Sequence, residues 1–428
     1  LALVPSQQWA MVALAIVIPI TIWRDAPVVG NHWIVMGLLS LAVLGAVGAT
    51  AGTRSGGTAR RVEELLIPMG RGVFFVFYGF SALAKVNRAF LTPAVSCGTY
   101  FTDETFRSLG WNPSTTSGGT AARLVPIVVI LIEFGVFALL LARRTRWFGV
   151  ILAVGFHGFI AWDGYHSFHD FSATVYALLV LFVPDDFLAR CRSVMDRDCR
   201  YRIMARAFAV LVAVSAALTI VIQLATTSVA WRNFDRDFRN VQWRVVSVVA
   251  LVVVVVYTMV SRRSPTASPA DARTARRWPV WLLIVPALAF ANGVSVYVGV
   301  KTSYSWNMYS NLVTVPGRAN SFVVPSGAPF TSQLGDLVRI TSSADPALQA
   351  YADQDFSLPM VNLRAYTSTH PDTSVQYVRR GTIVTVAHTR TDPELSRPIA
   401  GWSRRLFAYR AVDNESPARC QPYFLPAS

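Results

Sequence analysis

Ionisable side chains recur along this chain at places where apolar residues surround them. The stretch FYGFSALAKVNRAF (77–90) brings Lys85 to the end of a long apolar run. Glu133 stands between LVPIVVILI and FGVFALLLA, and His157 lies inside the run 147–162. The corner WDGYHSFHD (162–170) gathers Asp163, His166, His169 and Asp170. Away from water such groups do acid–base chemistry. Desolvation disfavours the charged form, so a buried amine can be neutral near pH 7 and accept a proton, and a buried carboxyl can hold one. Ionisable groups inside membrane-length segments are costly and are functional candidates on that ground.

Each group also has a structural reading. Lys85 could lay its stem along the apolar surface and place the ammonium among headgroups. His157 could be a hydrogen-bonded core residue, and the Asp163–Asp170 corner a solvated loop. Glu133 cannot reach water by stretching, so it is either protonated or paired with a Lys or Arg of another segment. His166 and His169 have the spacing of two ligands on one helical face, but no third ligand is evident and no metal is expected.

The elements that must position these groups are membrane helices. Of 428 residues, 53% are hydrophobic and 15% charged, with mean hydropathy +0.42; a soluble domain carries about 25% charged residues. Apolar runs near 9–23, 33–52, 66–84, 124–142, 147–162, 168–184, 204–226, 243–261 and 279–300 make nine candidate spans, most near the roughly 20 residues a bilayer core requires. The net charge of +15 follows loop arginines rather than any nucleic-acid motif, and no nucleic-acid partner is expected. Alternate loops hold seventeen arginines (54–61, 143–146, 190–206 and 262–277), against eight basic residues in the loops between them. The positive-inside rule then places the N-terminus in the cytoplasm and residues 301–428 outside a bacterial inner membrane. The first residue is Leu, as expected of a trimmed or processed N-terminus.

Residues 301–428 have another texture. NSFVVPS, DLVRITSS, VQYVRRGTIVTVAHT and RRLFAYRAV alternate apolar and polar residues and are rich in Val, Ile, Thr and Tyr, the pattern of strands. ADPALQAYADQ opens like a helix. The expected architecture is an all-α polytopic domain over 1–300 and a small β-rich extracytoplasmic domain over 301–428. With this orientation Cys97 and Cys420 lie outside and Cys191 and Cys199 inside. An outside pair can oxidise, so a Cys97–Cys420 disulfide is expected; the alternative is two unrelated thiols.

Three segments, in order, resemble a known family. FYGFSALAKVNRAF is similar to the helix end of vitamin K-dependent γ-glutamyl carboxylases that closes on Lys-Leu-Asp or Lys-Leu-Asn before an aromatic residue, with Lys85 and Asn87 at the matching positions. GFHGFIAWDGYHSFHDFSATVYALLVLFVP resembles their Phe-His helix, polar break and Phe-Ser helix, and YSWNMYSN (304–311) resembles the Phe-Ser-Trp-x-Met motif through Trp306. The similarity to this horizontally transferred transmembrane (HTTM) group covers about 66–312.

The resemblance implies quinol chemistry. Lys85 would deprotonate a reduced naphthoquinone (of the menaquinone or vitamin K type), with O2 then giving an epoxide and a strong base, and CO2 adding to a carbanion if carboxylation is retained. His157 would assist near the quinone oxygen, and Asn87, Glu133, Asp163, His166, His169 and Trp306 would line the pocket. Ala-, Val- and Arg-rich usage fits a high-GC bacterium, where menaquinone is at hand. The tail matches no part of the large lumenal region that holds the peptide in animal carboxylases. The bilayer and the quinone are the expected partners. The alternative function is a non-catalytic scaffold or lipid-binding subunit meeting an envelope protein, and no matched pair of broken helices suggests a transporter.

Overall fold

The structure, a computed structural model, describes residues 8–27, 29–51, 58–112, 119–166, 168–183, 193, 199–225, 228–261, 280–324, 330–423 and 425. The chain is mostly helical: α1 (Gln8–Asp25), α2 (Asn31–Thr50), α3 (Thr58–Ala84), α4 (Cys97–Ser108), α5 (Thr120–Leu141), α6 (Arg146–Ile160), α7 (His169–Leu179), α8 (Cys199–Ala225), α9 (Val229–Ser261) and α10 (Ile284–Val294) precede the tail. Helix covers part of each of the nine apolar runs, and four helices (α2, α3, α5 and α9) are long and apolar enough to cross a membrane. Trp33, Leu41, Leu131, Leu141, Val252 and Val253 are exposed on these helices, as lipid-facing residues are.

The chain groups into two compact units. The first holds 1–102, 114–134 and 277–428; the second holds 103–113 and 135–276. In the first, α2 packs on α1, and α3 on α2 and α10. Small residues permit the close approach of α3 and α10: a Cβ on Gly72 would meet Pro286 at 2.8 Å, and one on Gly293 would run into the Phe80 ring. Such contacts are the usual device where lipid supplies no hydrophobic drive between helices.

The tail carries a five-stranded antiparallel sheet in the order β4–β3–β1–β2–β5, with β1 Leu337–Ser343, β2 Phe356–Pro359, β3 Val375–Arg379, β4 Thr382–Val386 and β5 Val412–Asp413. The β3–β4 turn has φ of 51° at Arg380 and 81° at Gly381, the twist that joins adjacent strands in two residues. Helix α11 (Pro346–Asp353) links β1 to β2, and the Asp345 carboxylate caps it by accepting from the N–H groups of Ala347 and Leu348 at 2.8 and 3.2 Å. Val338, Ile340, Leu348, Tyr351, Leu358, Leu363 and Tyr377 form its core. Helices α12 (Met360–Thr367) and α13 (Gly401–Leu406) complete the tail.

Two expected strands take other forms. NSFVVPS joins no strand of the sheet; Ser321 bridges Asn87, and Asn320 and Phe322 on either side bond to the backbone of Arg88 and Val86. RRLFAYRAV is helical up to Leu406, and only its last residue joins the sheet. Its alternation serves side-chain packing: the Tyr409 hydroxyl donates to the Val300 carbonyl at 2.7 Å, and Asn362 donates to the Tyr409 carbonyl at 2.9 Å.

Cys97 and Cys420 are disulfide-bonded, with Cα atoms 4.8 Å apart across 323 residues of sequence. Cys199 is a free, exposed thiol and Cys191 lies outside the described residues. Peptide mapping without reductant should recover the Cys97 and Cys420 peptides joined. Replacing either by Ser should lower stability to thermal unfolding by about 2–4 kcal/mol; free thiols at both sites in protein from an oxidising compartment would contradict this.

Candidate active site

The end of α3 is built by residues that close its last turn. Asn87 is fully buried, and its Nδ2 donates to the carbonyls of Ala84 and Ser310 at 2.8 and 2.6 Å while its Oδ1 accepts the Phe90 N–H at 2.8 Å. It thereby satisfies one carbonyl left open at the helix terminus and ties it to the segment after α10. Lys85 folds back, donating from Nζ to the Ser81 carbonyl at 3.2 Å. The ammonium does not extend into solvent. It lies 3.1 Å from Oε2 of Glu133, and each residue is 8% exposed.

Of the two fates open to Glu133, the structure has the paired one. Its Oε2 faces the ammonium yet accepts no hydrogen bond among the described residues. The approach to Lys85 along α3 is aromatic. Phe74, Tyr78 and Lys85 follow at i, i+4 and i+11, one helical face, and the rings of Phe74 and Tyr78 stack at 5.1 Å.

YSWNMYSN supports this end of the site with a backbone few L residues adopt. Tyr304, Trp306, Tyr309 and Asn311 all have φ between 51° and 59°; such outliers persist only where surrounding contacts impose them. Trp306 is fully buried, donates from Nε1 to the Ala289 carbonyl at 2.8 Å, and meets Phe77 edge-on at 5.3 Å. Asn311 accepts the Cys97 N–H at 2.9 Å and donates to the carbonyls of Val95 and Ala418 at 2.8 and 3.0 Å. Lys85, Asn87, Glu133 and Trp306 therefore belong to one unit.

His157, Asp163, His166 and His169 belong to the other. In the Asp163–Asp170 corner Asp163 and His169 are buried while Tyr165 is exposed; Asp163 accepts the backbone N–H groups of Tyr165 and His166 at 2.7 and 3.3 Å and meets His166 Nδ1 at 2.8 Å. His157 is buried, its carbonyl accepts from Ser172 at 3.0 Å, and its ring lies 5.5 Å from Phe171. His169 Nε2 lies 3.3 Å from Arg239, which pairs with Asp235 at 3.0 Å; Thr219 donates to Asp235 at 2.8 Å.

Asp235 and Arg239 were expected in a loop before a span at 243–261, but α9 begins at Val229 and includes both. Their signal was readable: Trp231, Phe234, Phe238 and Val241 recur at helical spacing through the arginine run and are exposed, with Asp235 and Asn240 buried. Asp103 on α4 is another residue not singled out in the sequence; it is buried with both carboxylate oxygens unbonded among the described residues, and desolvation raises its pKa. Lys301 is a third. Like Lys85 it closes an apolar run, and burial lowers its pKa from 10.5 to about 8.

Two outcomes follow for these lysines. Removing one partner of a buried pair leaves an uncompensated charge at a cost of about 3–5 kcal/mol. Lys85→Met and Glu133→Leu should thus each destabilise the protein strongly, and the double variant by less than their sum in a thermal-unfolding cycle; strict additivity would contradict the pair. For Lys301, the unfolded chain keeps its proton to about 10.5 and the folded one releases it near 8, so stability should rise with pH between these values. Amine labelling of Lys301 against pH should show a midpoint near 8, and a midpoint above 10 would contradict the burial effect. No protein-family model, curated protein or solved structure matches this chain.

Proposed function

We propose that the chain is a bacterial inner-membrane enzyme of the vitamin K-dependent γ-carboxylase-like, HTTM type, in which Lys85 is the base toward a reduced naphthoquinone. On this reading all nine apolar helices span, the N-terminus is cytoplasmic and the tail extracytoplasmic. The observation that carries the proposal is the buried Lys85–Glu133 pair at the end of an aromatic helix face.

The residues fit such a group. Among the described residues Oε2 of Glu133 has the Lys85 ammonium beside it at 3.1 Å and no further donor, and a ring hydroxyl would be one. Phe74 and Tyr78, stacked on each other and buried on the same face of α3, make the surroundings of the pair aromatic and apolar. When bound, a naphthoquinol supplies an acidic hydroxyl and, with O2, the oxidising chemistry. The chain's own part is proton handling. In a low-dielectric site the ammonium and carboxylate can neutralise each other by one proton transfer, from Nζ of Lys85 to Oε2 of Glu133, leaving an amine and a carboxylic acid. The neutral Nζ then accepts the hydroxyl proton. Ser81 holds the amine near the helix axis, and the site's burial protects a strong base from quenching by water. CO2 would be the co-substrate if carboxylation is retained.

A scaffold or lipid-binding role is the second reading, favoured by the same pair, because a Lys–Glu contact between two helices also suits a purely structural clamp. The two separate experimentally. Purified protein supplied with reduced menaquinone or vitamin K and O2 should form the quinone epoxide. Lys85→Ala and Lys85→Arg should each lose it by at least about 100-fold, since a guanidinium stays charged and cannot serve as the base. Wild-type protein that folds, retains quinone and forms no epoxide would leave the scaffold.

A further inference from the structure

A second charged site lies just beyond the end of α3, apart from the Lys85–Glu133 pair. Residues 86–88 run antiparallel to 320–322: the Arg88 N–H donates to the Asn320 carbonyl at 3.1 Å, the Phe322 N–H to that of Val86 at 3.2 Å, and Asn87 bridges Ser321. This pairing walls a cleft of about 430 Å³ with Arg88, Arg318, Phe322, Asp413 and Glu415 among its lining. Its charges are unevenly satisfied. The Asp413 carboxylate takes Arg419 through two bonds at 3.0 and 2.7 Å and accepts the backbone N–H groups of Glu415 and Arg419; Glu415 lies 3.3 Å from Arg419 as well. Arg318 donates only to the Asp413 carbonyl and, at 3.5 Å, to the Asn414 side chain, neither of which is charged. Among the described residues, neither Arg88 nor Arg318 has a carboxylate partner.

We propose that this cleft binds the phosphate of an anionic phospholipid, with Arg88 and Arg318 as its two cationic contacts. Two guanidiniums that line one concave surface, whose own carboxylates are taken up by Arg419, match the oxygens of a phosphate. The choice of lipid over free phosphate rests on position and on apolar neighbours. The Cα atom of Arg88 can be no more than about 11 Å from that of Lys85, three residues back at the helix end, which is headgroup level for a helix that spans. Leu91, one turn beyond Arg88, and Phe322 with Val323 opposite it are all exposed. Free phosphate has no use for these apolar groups, whereas an acyl-bearing ligand does. The site stands whether or not Lys85 acts as a base.

Native mass spectrometry of the full chain released from mixed phosphatidylcholine–phosphatidylglycerol bilayers tests this directly. The protein should retain phosphatidylglycerol preferentially. Arg88→Gln should reduce that preference about fivefold, and Arg88→Gln with Arg318→Gln about 25-fold, at roughly 1 kcal/mol per arginine near an anionic surface. The Arg88 side chain makes no bond among the described residues, so the single variant should fold normally even if the double one does not. Arg339→Gln, which removes an exposed partner of Asp355 on the sheet, should leave the preference intact. Equal retention of both lipids, or a preference that survives Arg88→Gln and Arg88→Glu unchanged, would overturn the proposal. Inorganic phosphate should compete for the site; phosphate binding that depends on Arg88 without any lipid selectivity would overturn the lipid assignment.

Discussion

The contact between Lys85 and Glu133 is the constraint on which the candidate site depends. Neither charge is affordable alone at 8% exposure inside an apolar segment, because the desolvation cost of a single buried ion runs to several kcal/mol. At 3.1 Å the two charges offset one another and join α5 to the end of α3. On the proposed function, the same closeness is what would let one proton pass between them. A surface pair could not do this; water would hold both groups ionised.

The end of α3 must therefore be held in place, and the surrounding contacts do so by backbone bonds more than by apolar packing. Asn87 connects it to Ser310, Asn311 connects the same segment to Cys97 and Ala418, and the disulfide fixes Cys97 to Cys420. These links help to explain why 277–428 groups with the first 102 residues. They also explain the four positive-φ residues of YSWNMYSN: a segment that must reach Asn87, Ala289 and Val95 with successive side chains and carbonyls has little freedom to stay extended.

What could be read from the sequence was local, and what could not depended on distance. Lys85 and Glu133 were visible singly because each violates the apolar run around it; that they meet is a fact of helix packing which no spacing encodes. Alternation in VQYVRRGTIVTVAHT led correctly to strand structure, β3 and β4, which the Arg380–Gly381 turn joins. The same alternation in RRLFAYRAV misled, since Tyr409 is buried by bonds to Val300 and Asn362 and not by strand pairing. Counting arginines hid Asp235 and Arg239, which pair on α9 while Trp231, Phe234 and Phe238 of the same helix are exposed. The Cys97–Cys420 link was legible because redox compartment separates four cysteines into two pairs without any knowledge of the fold.

The central claim is that one amine shares its proton with one carboxylate out of reach of water. Nitrogen-15 resonance of Lys85 Nζ in lipid nanodiscs reads that state directly. The account predicts a proton in slow exchange with solvent and a resonance that moves when Glu133 is replaced by Gln. A fast-exchanging ammonium signal at the ordinary position, indifferent to that replacement, would contradict it.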